Sequence, residues 1–378
     1  MARKVDVAII GGGIAGLSLA YFLAPHRSVA ILERETALGY HSTGRSAAEF
    51  SRRFHSPLVG RLAAISQDFF TCPPSGFADI ELLKPRGNLL IAAEEKKERL
   101  DEVFARESAD GPGLERLTLE QALARAPILD PDYVAAALYD PDCWDIEVES
   151  VLQGFARGAR AAGAEILTTA ELVSHGREPG GWILDTGVGE VRAKIVVNAA
   201  GGWADTVAAL FGLDPLGVKP LRRTAITVDA PKGVDVTALP EISEIDELFY
   251  IKPDAGRLLI SPADETPTDP CDAQAEEIDV ARAAWYLEQA TTVPVRHVAH
   301  SWAGLRSFAP DRAPVVGFSG AAEGFFWLAG QGGFGILSSP ALGRFAAELI
   351  ADGAPSPLFT EHGLTRDLLS PKRLEGRT

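Results

Sequence analysis

The stretch Val5-Asp-Val-Ala-Ile-Ile-Gly-Gly-Gly-Ile-Ala-Gly16 decides the fold of this 378-residue chain. Its first half is apolar and rich in β-branched residues, which predicts a buried parallel strand over residues 5–10. Its second half, 11–16, has the spacing G-x-G-x-x-G and leads into a helical pattern that ends at about Leu23. A second apolar, partly β-branched run follows at 29–32. The stretch therefore predicts a β-α-β unit at the start of the chain.

A glycine-rich turn between a strand and a helix is typical of dinucleotide-binding proteins. Gly11 permits the tight turn, Gly13 lets the backbone approach a pyrophosphate, and Gly16 lets the helix pack closely on the strand. The helix N-terminus offers free N–H groups and a partial positive charge to the phosphates. Glu33 ends the next strand, where a carboxylate binds ribose hydroxyls. A turn that binds nothing does not account for Glu33, so we predict that a dinucleotide binds here.

The segment after Glu33 favours FAD over NAD as this dinucleotide. It reads Gly39-Tyr-His-Ser-Thr-Gly-Arg-Ser-Ala-Ala48, where an NAD domain would continue into a helix. The loop supplies hydroxyls and a second set of N–H groups, which suit the long groove of FAD. We expect it to end in a helix that starts at about Ser46. The alternative is a solvated loop with a helix cap at Ser46.

Two further strand–glycine–helix units lie downstream. Residues 194–198 enter a turn at 199–203, and residues 325–329 enter a turn at 330–335 that precedes an amphipathic helix. These units predict one nucleotide-binding domain built from separated segments. The intervening segments have strand character, with a hairpin turn at 253–256, and predict a mixed sheet in a second domain.

Composition excludes several classes of protein. The chain has 36 Lys and Arg against 52 Asp and Glu, a formal charge of −16, which argues against nucleic acid as a partner. Its three cysteines, Cys72, Cys143 and Cys271, are far apart and form no CxxC, so we expect neither a disulfide framework nor a metal site. Neither a signal peptide nor an apolar run long enough to cross a membrane is present, which predicts a cytoplasmic protein without an integral membrane segment. We expect the tail after Ser370, with Lys372, Arg373 and Arg377, to be loose.

These segments resemble the D-amino-acid oxidase superfamily of FAD enzymes, which includes glycine oxidase and sarcosine oxidase. Within it, the chain is most similar to D-arginine dehydrogenases. The resemblance rests on residues 11–16, 32–35, 39–48, 197–201, 249–256, 302–308, 323–327, 331–336, 361–364 and 369–371.

The expected fold is α/β, with a discontinuous Rossmann-like FAD-binding domain and a mixed-sheet α+β substrate domain. We assign residues 1–84, 145–215 and 305–378 to the first domain and residues 85–144 and 216–304 to the second. Related sarcosine oxidases attach their flavin to a cysteine near the C-terminus, but no cysteine follows Cys271, so we expect non-covalent FAD. A hydrogen-bonding role is expected for His41.

The motifs and the resemblance together assign the residues that contact FAD. They are Gly11, Gly13, Ile14, Ala15, Gly16, Glu33, Arg34, His41, Ser42, Thr43, Gly44, Arg45, Ser46, Ala47, Ala48, Val173, Ala200, Gly201, Trp203, Gly304, Arg306, Gly330, Gly332, Gly333, Phe334, Gly335 and Ile336.

The resemblance also implies a binding site for the substrate carboxylate. In D-arginine dehydrogenases two arginines and a tyrosine hold this group, and Arg223, Arg306 and Tyr250 stand at the matching positions. A guanidinium binds a carboxylate through two parallel N–H bonds and does not lose its charge. The alternatives are a structural salt bridge for Arg306, a structural role for Arg223 beside its neighbour Arg222, and a core position for Tyr250.

Four positions depart from the pattern of D-arginine dehydrogenases. Asn88 replaces the glutamate that binds the substrate guanidinium, Phe54 replaces a tyrosine, Leu337 replaces a glutamine, and Glu49 replaces a histidine beside the flavin. Without the anionic anchor, the pocket around Asn88, Phe54, Leu337 and Gly333 is expected to prefer apolar or neutral side chains. Glu49 is interpreted either as an acceptor for the substrate amine, or as a partner for a cationic side chain from another wall, or as a surface partner of Arg52 or Arg53.

The predicted function is the oxidative deamination of D-amino acids by hydride transfer from Cα to flavin N5, with Arg223, Tyr250, Arg306 and Glu49 as catalytic residues. The imino acid product hydrolyses to a 2-oxo acid and ammonia. The first alternative is an oxidase or dehydrogenase of N-substituted amino acids such as sarcosine, proline or hydroxyproline. A 2-hydroxy-acid oxidase and a non-catalytic flavin-binding scaffold are remoter alternatives. The electron acceptor stays open between oxygen, a quinone and others.

Overall fold

The computed structural model describes residues 3–108 and 113–376, which form three sheets flanked by helices. The strands, in chain order, are β1 (Arg3–Ile10), β2 (Val29–Leu32), β3 (Glu49–Ser51), β4 (Leu83–Pro85), β5 (Asn88–Ala92), β6 (Glu115–Leu117), β7 (Ala136–Asp140), β8 (Cys143–Ile146), β9 (Glu165–Leu167), β10 (Leu172–Glu178), β11 (Gly181–Thr186), β12 (Gly189–Asn198), β13 (Lys219–Asp229), β14 (Glu241–Glu244), β15 (Tyr250–Asp254), β16 (Arg257–Ser261), β17 (Thr266–Pro267), β18 (Val298–Phe308), β19 (Val315–Phe318), β20 (Phe325–Ala329) and β21 (Gln331–Gly332).

Ten α-helices occur in the described part of the chain. They are α1 (Ile14–Leu23), α2 (Pro57–Thr71), α3 (Lys97–Ser108), α4 (Leu119–Arg125), α5 (Val148–Ala161), α6 (Ala204–Leu210), α7 (Glu277–Ala290), α8 (Ser339–Ala351), α9 (Pro357–Glu361) and α10 (Arg366–Leu369). Short 3₁₀ segments lie at Glu94–Lys96, Gly201–Trp203, Val236–Ala238 and Pro371–Arg373.

The first sheet has the order β10-β11-β12-β1-β2-β9, and its central strands are parallel. The first half of β12 pairs with β11 and its end pairs with β20, so the third predicted strand–turn–helix unit joins the same sheet. β2 is buried at every position, as expected for a strand covered on both faces. The predicted discontinuous nucleotide-binding unit is therefore confirmed as one sheet made from distant segments.

Helices α1, α5 and α8 cover one face of this sheet and pack against one another. Phe155 of α5 is fully buried and its ring stacks on Phe69 at 5.5 Å. The same ring makes edge contacts with Tyr21 and Phe77, at 5.4 and 5.1 Å. This aromatic cluster holds α1, and with it the glycine turn, against the rest of the domain.

The second sheet has the order β21-β18-β13-β16-β15-β14-β5-β7-β6, with β17 beside β13. Most of its pairs are antiparallel, but β14 and β5 are parallel, so the prediction of a mixed sheet is confirmed. The hairpin predicted at 253–256 joins β15 to β16, with Ala255 and Gly256 in the left-handed region. Helices α4 and α7 pack on one face of this sheet, and the other face is turned toward the glycine turn.

The third sheet is small and has the order β3-β8-β4. The division into two domains stays a prediction. One of the predicted boundaries, between residues 304 and 305, falls inside β18, which is a continuous strand of the second sheet.

Two local expectations are wrong. Residues 46–48 form no helix, because the run of turns ends at Arg45 and the chain then passes into β3. The next helix starts at Pro57 with Ser56 as its cap. The tail is not loose over residues 371–374: Arg373 binds Asp311 at 2.7 Å and Leu374 is buried in the core. Arg377 lies outside the described residues.

Across residues 3–108 and 113–376, no helix combines the length and apolar character needed to cross a membrane. The cytoplasmic location stays a prediction.

Replacing Phe155 by alanine is expected to lower the free energy of unfolding by about 3–5 kcal/mol, because the cavity left in the aromatic cluster cannot collapse fully. Chemical denaturation followed by circular dichroism measures this change. Ile278→Ala, at a position of α7 that is 60% exposed, is the control and should change stability by less than about 0.5 kcal/mol. Equal losses in the two variants would contradict the packing described here.

Candidate active site

The glycine turn lies at the carboxyl end of β1, where it opens a groove between the first and second sheets. Gly11 has a φ of +110°, and a Cβ there would lie 2.4 Å from the Ala199 carbonyl oxygen. A Cβ at Gly16 would lie 2.0 Å from the Gly11 carbonyl oxygen. Both positions therefore need glycine, and both keep the start of α1 against the groove.

Glu33 is buried at the rim of the same groove. Its Oε2 accepts a hydrogen bond from the Gly12 N–H at 2.7 Å, and its Oε1 accepts one from the Glu35 N–H at 2.8 Å. These bonds fix the carboxylate, which still has lone pairs for further donors. The sequence prediction of a ribose-binding carboxylate fits this position.

The loop 39–48 is pinned between α1 and the second sheet. Thr43 Oγ1 accepts from the Ile14 N–H at 3.1 Å, and Ser42 Oγ donates to the Leu305 carbonyl at 2.6 Å. The Trp302 indole N–H donates to the Arg45 carbonyl at 3.2 Å. The loop thus presents its hydroxyls to the groove without the helix expected at Ser46.

Two cavities, of about 440 and 270 Å³, form one continuous groove, since Ile14, Ser42, Thr43, Leu305, Gly332 and Gly335 line both. The larger runs past Glu33, Arg34 and Trp203, where the Arg34 guanidinium lies 4.2 Å from the Trp203 ring. The smaller runs under the second sheet. A long groove with a helix N-terminus, close-packed glycines and a fixed carboxylate at one end fits an extended dinucleotide such as FAD.

Most of the residues assigned to FAD line this groove. They are Gly11, Gly13, Ile14, Ala15, Glu33, Arg34, His41, Ser42, Thr43, Arg45, Ser46, Ala47, Ala48, Ala200, Gly201, Trp203, Gly304, Arg306, Gly332, Gly333, Phe334, Gly335 and Ile336. Their individual contacts with the cofactor stay predictions.

Four assigned residues do not line it. Gly16 packs on Gly11, the Gly44 N–H donates to the Gly39 carbonyl at 2.7 Å, and Gly330 turns the chain after β20 with a φ of +73°. Val173 is 63% exposed, whereas its neighbour Leu172 faces the groove. Successive residues of a strand face opposite sides, so the side chain of Val173 points away from the groove and its contact with the cofactor stays a prediction.

The smaller cavity brings Arg223, Arg306 and Tyr250 together. Arg223 lies on β13 and its Nε donates to the Asp264 carbonyl at 2.8 Å, while its register partner on β18 is Gly304, two residues from Arg306. Arg222 faces the other side of the sheet, where it binds Glu276 and, at 2.8 Å, Asp279 of α7. The structural role therefore belongs to Arg222, and Arg223 faces the cavity.

Gly333 makes room for the Arg306 guanidinium. A Cβ at Gly333 would lie 1.7 to 2.1 Å from the guanidinium atoms, so the arginine rests directly on this backbone. Burial, together with the nearby charge of Arg223, lowers the pKa of Arg306 to about 10. Arg306 still carries its charge at neutral pH, and the cavity holds two cations side by side.

Glu265 supplies a shared negative charge at the edge of these arginines. Its Oε1 lies 3.5 Å from Arg223 Nη2, 3.6 Å from Arg306 Nη1 and 2.9 Å from Arg312 Nη2. Burial alone would raise the pKa of Glu265, but the hydrogen bond from Arg312 and the three positive charges lower it. Because three guanidiniums share this one carboxylate, Arg223 and Arg306 keep N–H groups that can bind a second carboxylate.

The four positions that depart from the D-arginine dehydrogenase pattern all line the cavity. Phe54 has a φ of +63°, and Asn88 donates from Nδ2 to Ser243 Oγ at 3.1 Å. Leu337 is almost fully buried. Glu49 accepts a hydrogen bond from the Cys143 thiol at 3.3 Å, while Arg53 binds Asp140 at 2.7 Å. The position of Glu49 in the cavity favours a role in the pocket over pairing at the surface.

Sequence reasoning missed several residues that line the cavity: His55, Glu241, Ser243, Glu244, Glu247, Phe249 and Trp302. The His55 ring lies 5.0 Å from that of Phe334, and burial lowers its pKa, so it is neutral there. Because Glu241, Glu244 and Glu247 line the cavity, its wall is more acidic than we expected from the replacement of a glutamate by Asn88. Ser243 pairs with Tyr250, and Glu241 pairs with Asn88, so each faces the same side of the sheet as its partner. The sequence does not show which strands pair, so it could not place Ser243 and Glu241 in the cavity.

Comparisons with known proteins agree with this geometry. A family model described as "DAO: FAD dependent oxidoreductase" matches residues 6–349. The chain is 30% identical to a glycine oxidase of Geobacillus kaustophilus, with 93% of this chain and 94% of that protein covered. It is 26% identical to the mitochondrial dimethylglycine dehydrogenase of Rattus norvegicus, with 93% of this chain and 43% of that protein covered.

The fold also matches a solved structure of L-proline dehydrogenase from P. horikoshii with a TM-score of 0.83, at 22% identity and over 99% of each chain. The predicted α/β class is confirmed, while the finer resemblance to D-arginine dehydrogenases stays a prediction. The family model covers most of the chain, and the groove fits the cofactor that the family description names. The chain therefore belongs to the DAO family of FAD-dependent oxidoreductases, and FAD is its cofactor.

Proposed function

We propose that this protein oxidises the carbon–nitrogen bond of small N-substituted amino acids, of which sarcosine is the simplest. The sequence leaves this activity open as the first alternative to the oxidation of D-amino acids. It has better support, because the relatives reported above are named for glycine and for dimethylglycine. Both are amino acids without a side chain, and the second has a substituted nitrogen.

The observation that carries the proposal is the pair of partly buried guanidiniums, Arg223 and Arg306, with Tyr250 in the same cavity. Two adjacent, partly buried cations repel each other, so an anion between them is favoured. A substrate carboxylate meets this requirement with charge-assisted hydrogen bonds, each of which contributes about 1.5–3 kcal/mol. The phenol of Tyr250 can donate one more.

When bound, FAD supplies the two-electron oxidation of the substrate carbon–nitrogen bond to an imine, which water hydrolyses. The protein contributes orientation: a carboxylate held at two points leaves the substrate little freedom to rotate. The substrate nitrogen must be neutral when the C–H bond next to it breaks. Glu49 in the cavity wall, or solvent, is positioned to take the ammonium proton.

The direct test compares substrates with FAD-loaded protein in the absence of oxygen. Sarcosine, N,N-dimethylglycine and L-proline are mixed with the protein in parallel with D-alanine, D-arginine and L-alanine, and the loss of flavin absorbance is followed. We expect the N-substituted amino acids to bleach the flavin at least about tenfold faster than D-alanine, a difference of about 1.4 kcal/mol in activation free energy. If D-alanine bleaches the flavin faster than the N-substituted amino acids do, the proposal is wrong and the oxidation of D-amino acids is favoured.

Arg223 and Arg222 form a matched pair for testing the carboxylate site. Arg223→Met removes a charge that faces the cavity and is expected to raise the substrate KM by about 10- to 100-fold, with little change in Tm. Arg222→Met leaves the buried Asp279 with Arg282 as its remaining cation, which is expected to cost about 1–3 kcal/mol of stability and to leave KM within about twofold. Steady-state kinetics and thermal denaturation measure both effects. The assignment fails if the two variants show the reverse pattern.

A further inference from the structure

Glu265 places a carboxylate beside the two arginines that face the smaller cavity. It lies between β16 and β17, and its Oε1 is 3.5 Å from Arg223 Nη2 and 3.6 Å from Arg306 Nη1. Ala263, two residues earlier, lines the cavity, whereas Glu265 lies outside its lining. The carboxylate of Glu265 thus approaches the guanidiniums from outside the cavity, and a substrate carboxylate approaches them from inside.

The backbone that carries Glu265 is fixed to β13. Thr224 donates to the Asp264 carboxylate from its N–H at 2.7 Å and from Oγ1 at 3.1 Å. Arg223 Nε donates to the Asp264 carbonyl at 2.8 Å. β17, which begins directly after Glu265, pairs with β13 as well. The side chain of Glu265 therefore stays within reach of both cavity arginines.

Arg312 limits how strongly Glu265 binds these arginines. Both oxygens of Glu265 accept hydrogen bonds from Arg312, at 2.9 and 3.1 Å. The distances from Glu265 to Arg223 and Arg306 are longer than those of ordinary hydrogen bonds. The Arg312 guanidinium lies 3.8 Å from the centre of the Phe308 ring, a cation–π contact that holds it in place. Glu265 is therefore bonded mainly to Arg312 and only partly offsets the charge of the cavity arginines.

A carboxylate that shares the guanidiniums with a ligand lowers the affinity for that ligand. Burial would raise the pKa of Glu265, but the hydrogen bond from Arg312 and the three positive charges lower it, so the group is ionised at neutral pH. Its charge weakens the attraction that the arginines exert on a substrate carboxylate. A product of carbon–nitrogen oxidation that keeps this carboxylate experiences the same effect.

We infer, on the basis of the proposed function, that Glu265 is a built-in competitor that lowers the affinity of the carboxylate site, and that its bond with Arg312 keeps this competition partial. Substrate carboxylates then bind less tightly than the two arginines alone would allow, and a carboxylate product leaves faster. Glu265 acts through Arg223 and Arg306 and is a positioning residue, because it lies outside the lining of the cavity. A residue that only held the arginines in place would act in the opposite direction, since its loss would weaken carboxylate binding.

The test measures how tightly the FAD-loaded protein binds methoxyacetate, which has the shape and the carboxylate of sarcosine but no amine to oxidise. Methoxyacetamide is its uncharged counterpart. The Kd values come from the change in flavin absorbance, and the dissociation rates come from stopped-flow dilution. In the Glu265→Gln variant we expect methoxyacetate to bind about fivefold more tightly, mainly through slower dissociation. The Kd of methoxyacetamide should stay within about twofold of the wild-type value.

Arg312→Met tests the second half of the inference. Without Arg312, Glu265 can turn to the cavity arginines, so methoxyacetate should bind about fivefold more weakly. In the Glu265→Gln background the same Arg312→Met change should alter the Kd by less than about twofold, because its effect depends on Glu265. Glu120→Gln removes one negative charge from an exposed position on α4 and is the control, which should keep the wild-type Kd.

The direction of the change decides the outcome. Weaker binding of methoxyacetate by Glu265→Gln would show that Glu265 only holds the arginines in place, and would overturn the inference. An unchanged Kd would overturn it too. Equal tightening of methoxyacetate and methoxyacetamide would also contradict it, because a change that does not depend on the carboxylate reports the shape of the pocket.

The two proposals fail in different ways. Tighter binding of methoxyacetate by Glu265→Gln, without flavin reduction by any N-substituted glycine, would support the role of Glu265 at the carboxylate site and contradict the proposed function. Rapid flavin reduction by sarcosine, with an unchanged Kd of methoxyacetate in Glu265→Gln, would support the proposed function and contradict the role of Glu265.

Discussion

The site depends on two guanidiniums of like charge that are held side by side in one cavity. Arg223 and Arg306 come from neighbouring antiparallel strands, and several features of the fold serve to keep them there. The backbone of Gly333 leaves room for one guanidinium, the Asp264 carbonyl binds the other, and Glu265 partly offsets both charges. Two partly buried cations without a full counter-charge favour an anionic ligand, and this preference links the second sheet to substrate binding.

The same strands also link the substrate end to the cofactor end. Loop 39–48 contacts α1 through Thr43 and β18 through Ser42, so one segment touches both the glycine turn and the strand that carries Arg306. The aromatic cluster around Phe155 holds α1 in place. Packed elements and short hydrogen bonds thus set the orientation of the substrate relative to the cofactor. A reaction between the two needs such fixed positions.

Much of the fold could be predicted from local sequence. The strands at 5–10, 29–32 and 325–329 and the glycine turns have strong local causes. These are β-branched residues in the first two strands, an aromatic run in the third, and left-handed backbone at Gly11. Features that depend on distant partners were missed. The chain enters β3 after Ser46 because β8 offers it a partner, and Arg373 is ordered by Asp311, 62 residues away. Glu241 faces the cavity through a register that no local pattern encodes.

The most direct measurement of the central claim compares the binding of sarcosine with that of sarcosine amide, which has the same shape but no carboxylate. The FAD-loaded protein is titrated with each compound, and the rate of anaerobic flavin reduction is recorded. The carboxylate site of Arg223 and Arg306 predicts that the amide binds about 100-fold more weakly and reduces the flavin far more slowly, since charge-assisted hydrogen bonds are lost. Equal binding and equal reduction by the two compounds would contradict the account.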